Sequence, residues 1–482
     1  HQVASLATEP HQQTREKFLA AFLSAAALVQ PWPQIETLID LAISISKENE
    51  GWSKAWLRAL KTQLKAPPSE DSVVRYLAEN FLLIHSPQLG WYRYLDAGLW
   101  KSQSDGKAKQ LISNKLGRHR TGNRTKSISL LAESEFDYSK DLNPRRDLIN
   151  CPNGMLDLST MSLLPHNPAY YSSIQLGYPY NPSAQCPGWL RFVNEVFNDA
   201  TDQTLLLQEV FGYCLLPDTR FQQAFCLLGQ GANGKSAVLH VLSRLVGEAN
   251  VSHLEISELR DGFSIIDLHG SLVNLATETR GTIRGAETIF KKVVAGDVIR
   301  GCHKYKEPIS FAPFCTLVFA ANDFAEAHDT SHGFLRRWVF LLFPVEFCDN
   351  PSEPNQKQRT PSVETHLFEE LPGILNWSCQ GLSRLLANNA FTQTTANKDL
   401  RQEFTNITST VHAWLEDEGC ILADWRTRRA IYTNYHTWCE RFAELPLTAQ
   451  RFVSQLRRAV PLQNRRLGGG REIRQQPTND PI

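Results

Sequence analysis

A multidomain α/β protein is predicted by three features of the sequence. Its 482 residues exceed what one hydrophobic core ordinarily organises. Between residues 201 and 347, short apolar runs alternate with helix-period segments, the pattern of a sheet layered with helices. Within that region the run Gly229-Gln230-Gly231-Ala232-Asn233-Gly234-Lys235-Ser236 stands between an apolar strand-like run, Ala224–Leu228, and a helix-like run, 237–246.

The flanking segments follow in order. Residues 1–66 read as helical, with Phe18, Phe22 and Ala25 at helix spacing and breaks at Pro31, Pro33, Pro67 and Pro68. Residues 67–200 are mixed. An aromatic strand-like run, Trp91, Tyr92 and Tyr94, is followed by Trp100. A basic stretch then sets Lys101, Lys107, Lys109, Lys115, Arg118, Arg120, Arg124 and Lys126 against one acid, Asp105. Such a run is usually a solvated face, while its Gly and Asn interruptions suit a DNA-facing loop. Residues 201–347 form the α/β domain. In 348–399, a polar loop at 349–361 precedes a helix at 363–386 and a polar connector. Residues 400–482 alternate helical patterns and end in Gly468-Gly469-Gly470 flanked by Arg465, Arg466 and Arg471. Helices before a basic, glycine-rich hairpin predict a winged-helix-like, DNA-binding domain.

Composition bounds the function. Lys plus Arg and Asp plus Glu are both 50, so any nucleic-acid surface must be a local patch. None of the ten cysteines has the short spacing of a zinc ribbon or redox motif, which implies reduced, buried thiols in a cytoplasmic protein. The longest apolar stretch, 19–29, is too short to span a bilayer and lacks signal-peptide flanks. No membrane partner is therefore expected. A first residue of His1 rather than Met implies a piece of a longer protein.

The glycine run carries the chemistry. Strand, glycine loop and helix are the parts of a phosphate cradle: glycines let backbone N–H groups curl around phosphates, and the helix N-terminus adds positive potential. Gly229, Gly231, Asn233, Gly234, Lys235 and Ser236 are thus predicted to bind ATP. Lys235 would reach the β- and γ-phosphates and Ser236 would hold Mg²⁺. Such a site needs an acid on a neighbouring strand, and the β-prone run 271–277 ends against Glu278. Glu278 is expected to activate water and support the Mg²⁺ shell. Thr277 stands where a second acid is usual, so direct coordination is less secured than the water-activating role. A third apolar run, Thr316–Ala321, ends in Asn322, placed to sense the γ-phosphate; alone, an Asn-Asp pair would read as a turn. Arg337 and Arg336 lead into the strand-like run 339–343. Either is a candidate for stabilising charge on a neighbouring subunit's nucleotide, Arg337 first. Two β-prone flanks surround His303, Lys304, Tyr305 and Lys306, a basic aromatic hairpin tip suited to phosphates and base faces.

Together these motifs resemble the superfamily 3 helicases of the AAA+ class. The surrounding sequence is similar to the C-terminal helicase part of satellite-phage, plasmid and poxvirus primase-helicases. The likeness runs through Leu148-Ile149-Asn150-Cys151-Pro152-Asn153-Gly154, Pro165-His166, Gln208-Glu209-Val210-Phe211-Gly212-Tyr213, Leu371-Pro372-Gly373, Asn376-Trp377, Gly381, Tyr432 through Trp438 and Arg451-Phe452. It covers roughly residues 85–475. The resemblance implies an ATP-dependent DNA helicase of a mobile element, with an α-rich N-terminal adaptor at 67–200. It implies a hexameric ring moving 3′ to 5′ on single-stranded and forked DNA, with a primase in cis or in trans. Arg337 would be its arginine finger. Two other readings stay open: an AAA+ origin-binding or packaging-type ATPase that remodels DNA without processive unwinding, and a nucleotide-gated assembly hub. A small-metabolite kinase is disfavoured, since no lid-and-acceptor signature accompanies the loop.

Overall fold

The structure is a computed structural model that describes residues 67–277, 283, 285–304, 307–324, 331–418, 422–442, 446–467 and 470–475. The expected helical segment 1–66 lies outside them. The chain divides into two compact units, split after Leu142.

The first unit joins three helices to an antiparallel sheet. Helix α1 (Glu70–Asn80) precedes strands β1 (Leu83–Ser86), β2 (Gly90–Leu95) and β3 (Leu99–Gln103), paired in that order. Helices α2 (Asp105–Leu116) and α3 (Gly122–Glu135) follow. Ser69, Ser104 and Thr121 cap the three helices by accepting from the N–H groups of Ser72, Lys107 and Arg124. Val73, Leu77, Trp91, Ile112, Leu116, Ile128 and Ala132 form the core. The basic stretch 101–126 is therefore not a loop. It occupies β3, α2, a 3₁₀ turn at Gly117–His119 and the start of α3. Ile112, Leu116, Ile128 and Ala132 recur at helix spacing in and just after it, and their burial outweighs the breaker signal of its glycines.

The second unit begins with a small antiparallel sheet, β4 (Leu148–Cys151), β5 (Gly154–Asp157) and β6 (Ser162–Leu164), then helices α4 (Pro187–Val196) and α5 (Thr201–Tyr213). Its centre is a parallel sheet of β7 (Ala224–Leu228), β8 (Val251–Ser252), β9 (Val273–Ala276), β12 (Thr316–Ala321) and β13 (Trp338–Leu342), in the order β13-β7-β12-β9-β8. Helix α6 (Lys235–Val246) follows β7. Helix α7 (Glu287–Ala295) and the antiparallel pair β10 (Ile299–Gly301) and β11 (Ile309–Phe311) lie between β9 and β12. Helix α8 (His332–Leu335) leads into β13. Alternate residues of the strands enter two different cores. Phe225, Leu227, Val318, Ala320, Val339 and Leu341 face one; Ala224, Cys226, Leu228, Leu317, Phe319 and Phe340 face the other. Burial on both faces explains why these strands read as unbroken apolar runs.

Three stretches depart from the sequence reading. The 349–361 region contains β15 (Gln356–Gln358), paired in parallel with β14 (Glu346–Cys348). The helix expected over 363–386 is two, α9 (Val363–Glu369) and α10 (Leu371–Asn388), because Pro372 lacks an N–H and occupies the first turn of the second. The polar connector, 387–399, runs at its end into α11 (Thr395–Thr408). Asn397 on that helix accepts from the Phe340 N–H at 2.9 Å and so covers an edge of the sheet. Helices α12 (Thr410–Glu418), α13 (Arg428–Arg441) and α14 (Ala449–Ala459) and a three-stranded antiparallel sheet complete the described chain. That sheet comprises β16 (Arg426–Thr427), β17 (Leu462–Leu467) and β18 (Gly470–Gln475). Val411, Trp414, Tyr435, Phe452 and Leu456 form the core of this part. Among the described residues, no helix is long and apolar enough to cross a membrane.

Candidate nucleotide-binding site

Parallel register brings three strand ends to one edge. Leu228 pairs with Ala321, and Ala276 with Phe319, so the residues that follow each strand leave the sheet side by side. They line a cleft of about 350 Å³ with Gly231, Ala232, Asn233, Gly234, Lys235, Ser236, Thr277 and Asn322 on its walls.

The loop is held by backbone geometry only glycine accommodates. Gly231 and Gly234 have φ of +118° and +83°, and a Cβ on Gly229 would overlap the Asn233 amide and lie 2.7 Å from the Phe343 carbonyl. Gly234 also meets α4: an added Cβ would stand 3.0 Å from Val196 and 3.2 Å from Phe192. Further bonds fix the loop to the rest of the domain. The Gly229 N–H donates to the Ala321 carbonyl, the Phe343 N–H to that of Leu228 and the Phe347 N–H to that of Ala232.

Lys235 is buried, and its ammonium donates to the Gly229 carbonyl, to Asn233 Oδ1 at 3.0 Å and to Asn322 Oδ1 at 3.3 Å. Burial holds its pKa below the usual lysine value, against an opposing influence of the Cys226 thiol. Its three partners are neutral oxygens, so the ammonium charge is solvated but not cancelled. That is the electrostatics of an anion site, and phosphate oxygens fit it. Ser236, in the first turn of α6, also lines the cleft and is exposed. Glu278 lies outside the described residues. Among the described residues, no cluster of three His, Cys, Asp or Glu side chains could hold a metal by itself.

The other predicted residues are elsewhere. Arg336 and Arg337 precede β13 at the edge of the sheet opposite the cleft. Both guanidiniums reach Gln222 Oε1, at 3.2 and 3.5 Å, and Arg337 also donates to the Gly333 carbonyl. Burial and the Arg336 charge lower the Arg337 pKa, and its Nε is buried without a partner. The β10–β11 pair is the expected hairpin, with Arg300 opposite Ser310. His303 and Lys304 are exposed, and Lys304 lies near the Asp261 carboxylate; Tyr305 and Lys306 lie outside the described residues. Beside the hairpin, the Cys302 N–H donates to the Gly262 carbonyl at 3.0 Å, next to an exposed Phe263. In the C-terminal sheet, Arg466 pairs across strands with Arg471, and Leu467 with Gly470. Arg465 is engaged, bonding Glu472 at 2.7 Å and lying 4.4 Å over the Trp425 ring.

Sequence reasoning missed a second wall of the cleft. Phe192 and Glu195 come from α4, and Phe347, Arg359, Thr360, Val363 and Glu364 come from the 346–364 segment. Nothing in the polar 349–361 stretch marks Arg359. The Phe347–Ala232 bond, which brings that segment to the loop, is a tertiary contact.

Residues 71–198 match the family described as D5 N terminal like, and 227–337, which include the glycine loop, match a family of unknown function (DUF5906). A protein of African swine fever virus (strain Badajoz) named "Putative primase" is 24% identical over 251 residues, covering 48% of this chain and 26% of the viral protein. Its counterpart from the Warthog/Namibia isolate is 24% identical over 247 residues, covering 48% and 25%. The chain thus spans about a quarter of the length of these relatives. In fold, it is similar to the A-form apo structure of the NrS-1 C-terminal region, with a TM-score of 0.50, 11% identity, and coverage of 84% of this chain and 98% of that one.

Proposed function

We propose that this chain is the ATP-driven DNA helicase part of a replication protein of a phage, plasmid or related mobile element. In this reading it is a superfamily 3 motor of the AAA+ class that works as a ring. The observation that carries the reading is the convergence of Lys235, Ser236, Thr277 and Asn322 at the carboxyl edge of a parallel sheet. A separate basic hairpin, β10–β11, is inserted in sequence between β9 and β12 of that sheet. Kinship to a viral protein named as a primase supports a role in DNA replication.

Backbone N–H groups of 229–236 cradle the phosphates, and Lys235 exchanges its neutral partners for phosphate oxygens. Mg²⁺, held by Ser236 with support from Glu278, would neutralise charge on the β- and γ-phosphates. Asn322 orients the lytic water and Glu278 takes its proton. Arg337 completes the site of an adjacent subunit. The hairpin, with Phe263 beside it, meets single-stranded DNA, and the C-terminal helices and sheet, winged-helix-like, engage duplex.

ATPase assays with and without single-stranded DNA, paired with unwinding of 3′- and 5′-tailed forks, test the proposal. Stimulated hydrolysis with unwinding of the 3′-tailed fork is expected. Stimulation without unwinding would replace the helicase by a DNA-remodelling ATPase, and slow hydrolysis indifferent to DNA would leave a nucleotide-gated hub.

A further inference from the structure

None of the basic residues of 101–126 is among those that line the cleft. Eight Lys and Arg residues stand against one acid between 101 and 126, in a chain whose Lys plus Arg and Asp plus Glu are both 50 overall. Lys101, Lys107, Lys109, Arg120 and Lys126 are exposed, and among the described residues none of the five forms an ion pair. Two members of the stretch serve the fold instead. Arg124 donates to the carbonyls of Pro68 and His119, and the Lys115 ammonium lies 4.0 Å over the Tyr76 ring.

Like charges also face each other here. Lys101 on β3 is the direct cross-strand partner of Arg93 on β2, an arrangement that costs free energy in an isolated sheet. At the α2–α3 turn, Arg118 donates to the His119 ring at 3.3 Å, with Arg124 close by. Burial and these two charges lower the His119 pKa, so the imidazole sits in a positive field. A protein that only needed a solvated surface would gain by interspersing acids, as the rest of this chain does. Cations crowded without acids are offset when a polyanion lies across them, and release of its counterions supplies the driving force.

We propose that the basic stretch 101–126 of the first unit is a second DNA-binding surface, reading phosphate backbone without regard to sequence and without nucleotide. It is independent of the cleft chemistry. In a helicase it would hold DNA outside the hairpin's grip while the motor changes nucleotide state.

The test uses the full chain carrying Lys107→Ala, Lys109→Ala, Arg120→Ala and Lys126→Ala together. All four are exposed and outside the core, so the fold should persist, as circular dichroism can verify. Fluorescence anisotropy with single-stranded and duplex DNA, nucleotide omitted, is followed across a salt series. For every phosphate the variant no longer neutralises, the slope of log affinity against log salt should fall by about 0.7 for single strands and about 0.9 for duplex. Affinity at low salt should drop about tenfold or more, the scale of several phosphates left unneutralised, while DNA-free ATPase is unchanged. A second variant with the charges kept and the side chains exchanged, Lys107→Arg, Lys109→Arg, Arg120→Lys and Lys126→Arg, should bind as wild type. Unchanged slope and affinity in the alanine variant overturn the proposal. So does loss of binding to phosphatidylserine vesicles with DNA binding intact, which would assign the stretch to anionic lipid. If the wild-type chain binds DNA in this manner but hydrolyses no ATP, the motor reading falls and this surface stands.

Discussion

At Lys235, burial and hydrogen bonding pull in opposite directions. Burial disfavours the ammonium and lowers its pKa, while three neutral oxygens keep it solvated. Because the folded pKa lies below the unfolded one, the folded chain binds fewer protons in the window between them. This group therefore weakens the fold at lower pH, and the penalty is relieved as pH rises through the depressed folded pKa. Phosphate would reverse the bias by favouring the charged form. Nucleotide affinity, followed by a fluorescent ATP analogue, should accordingly decline on the alkaline side earlier than an ordinary lysine would permit. An affinity flat to the usual lysine range would count against a direct Lys235–phosphate contact. Substitutions divide the roles further. Lys235→Ala should abolish turnover by removing nucleotide binding. Asn322→Ala should retain binding and lower kcat by about 10²–10³-fold, the scale of removing one transition-state donor. Glu278→Gln should bind ATP and hydrolyse it very slowly. Wild-type turnover in Glu278→Gln would remove that residue from the role of base.

Among the elements, α5 and α10 pack with their backbones in close approach. A Cβ on Gly381 would overlap the Gln208 carbonyl, and one on Gly212 would lie 2.5 Å from the Ser378 carbonyl. Across this packing, fully buried Glu209 accepts from Arg384 Nε at 2.8 Å and from both the N–H and hydroxyl of Thr392 at 2.7 Å. Removing the arginine leaves a buried carboxylate short of its charge partner. Arg384→Ala should cost about 3–5 kcal/mol in denaturant unfolding, and a change under about 1 kcal/mol would show the pair to be incidental. Legibility of the elements follows their surroundings. Strands β7 and β12 are readable residue for residue, because burial on both faces makes each a continuous apolar run. The glycine loop is legible because its backbone geometry admits few residue types. The start of helix α11 is not, since its sequence, TANKDLRQEFTNIT, is largely polar and it rests on the sheet through Asn397 and Phe404. Arg359 stays hidden for a related reason: its place in the cleft depends on neighbours distant in sequence.

For the whole molecule, the position of Arg337 restricts what it can do. It precedes β13, whose five residues run in parallel with β7 until Leu342 pairs with Leu228 beside the glycine loop. At about 3.3 Å per residue, the strand separates Arg337 from its own cleft by about 17 Å. Its guanidinium is held at that far edge by Gly333 and Gln222. Arg337 thus acts on another subunit's nucleotide or on none. An Arg337→Ala protein should bind nucleotide normally and hydrolyse it poorly, and Lys235→Ala protein should bind none. Mixed together, the two should recover part of the wild-type ATPase, because some interfaces then pair an intact loop with an intact arginine. Exchange of subunits is verified by fluorescence transfer between labelled chains. Arg336→Ala provides the contrast, since that residue shares Gln222 but is the more exposed of the two. Rescue by mixing in the Arg336 series alone would move the finger one residue upstream. No rescue in either series despite proven exchange would mean that the arginine pair only braces the start of β13, and that hydrolysis is completed within one chain.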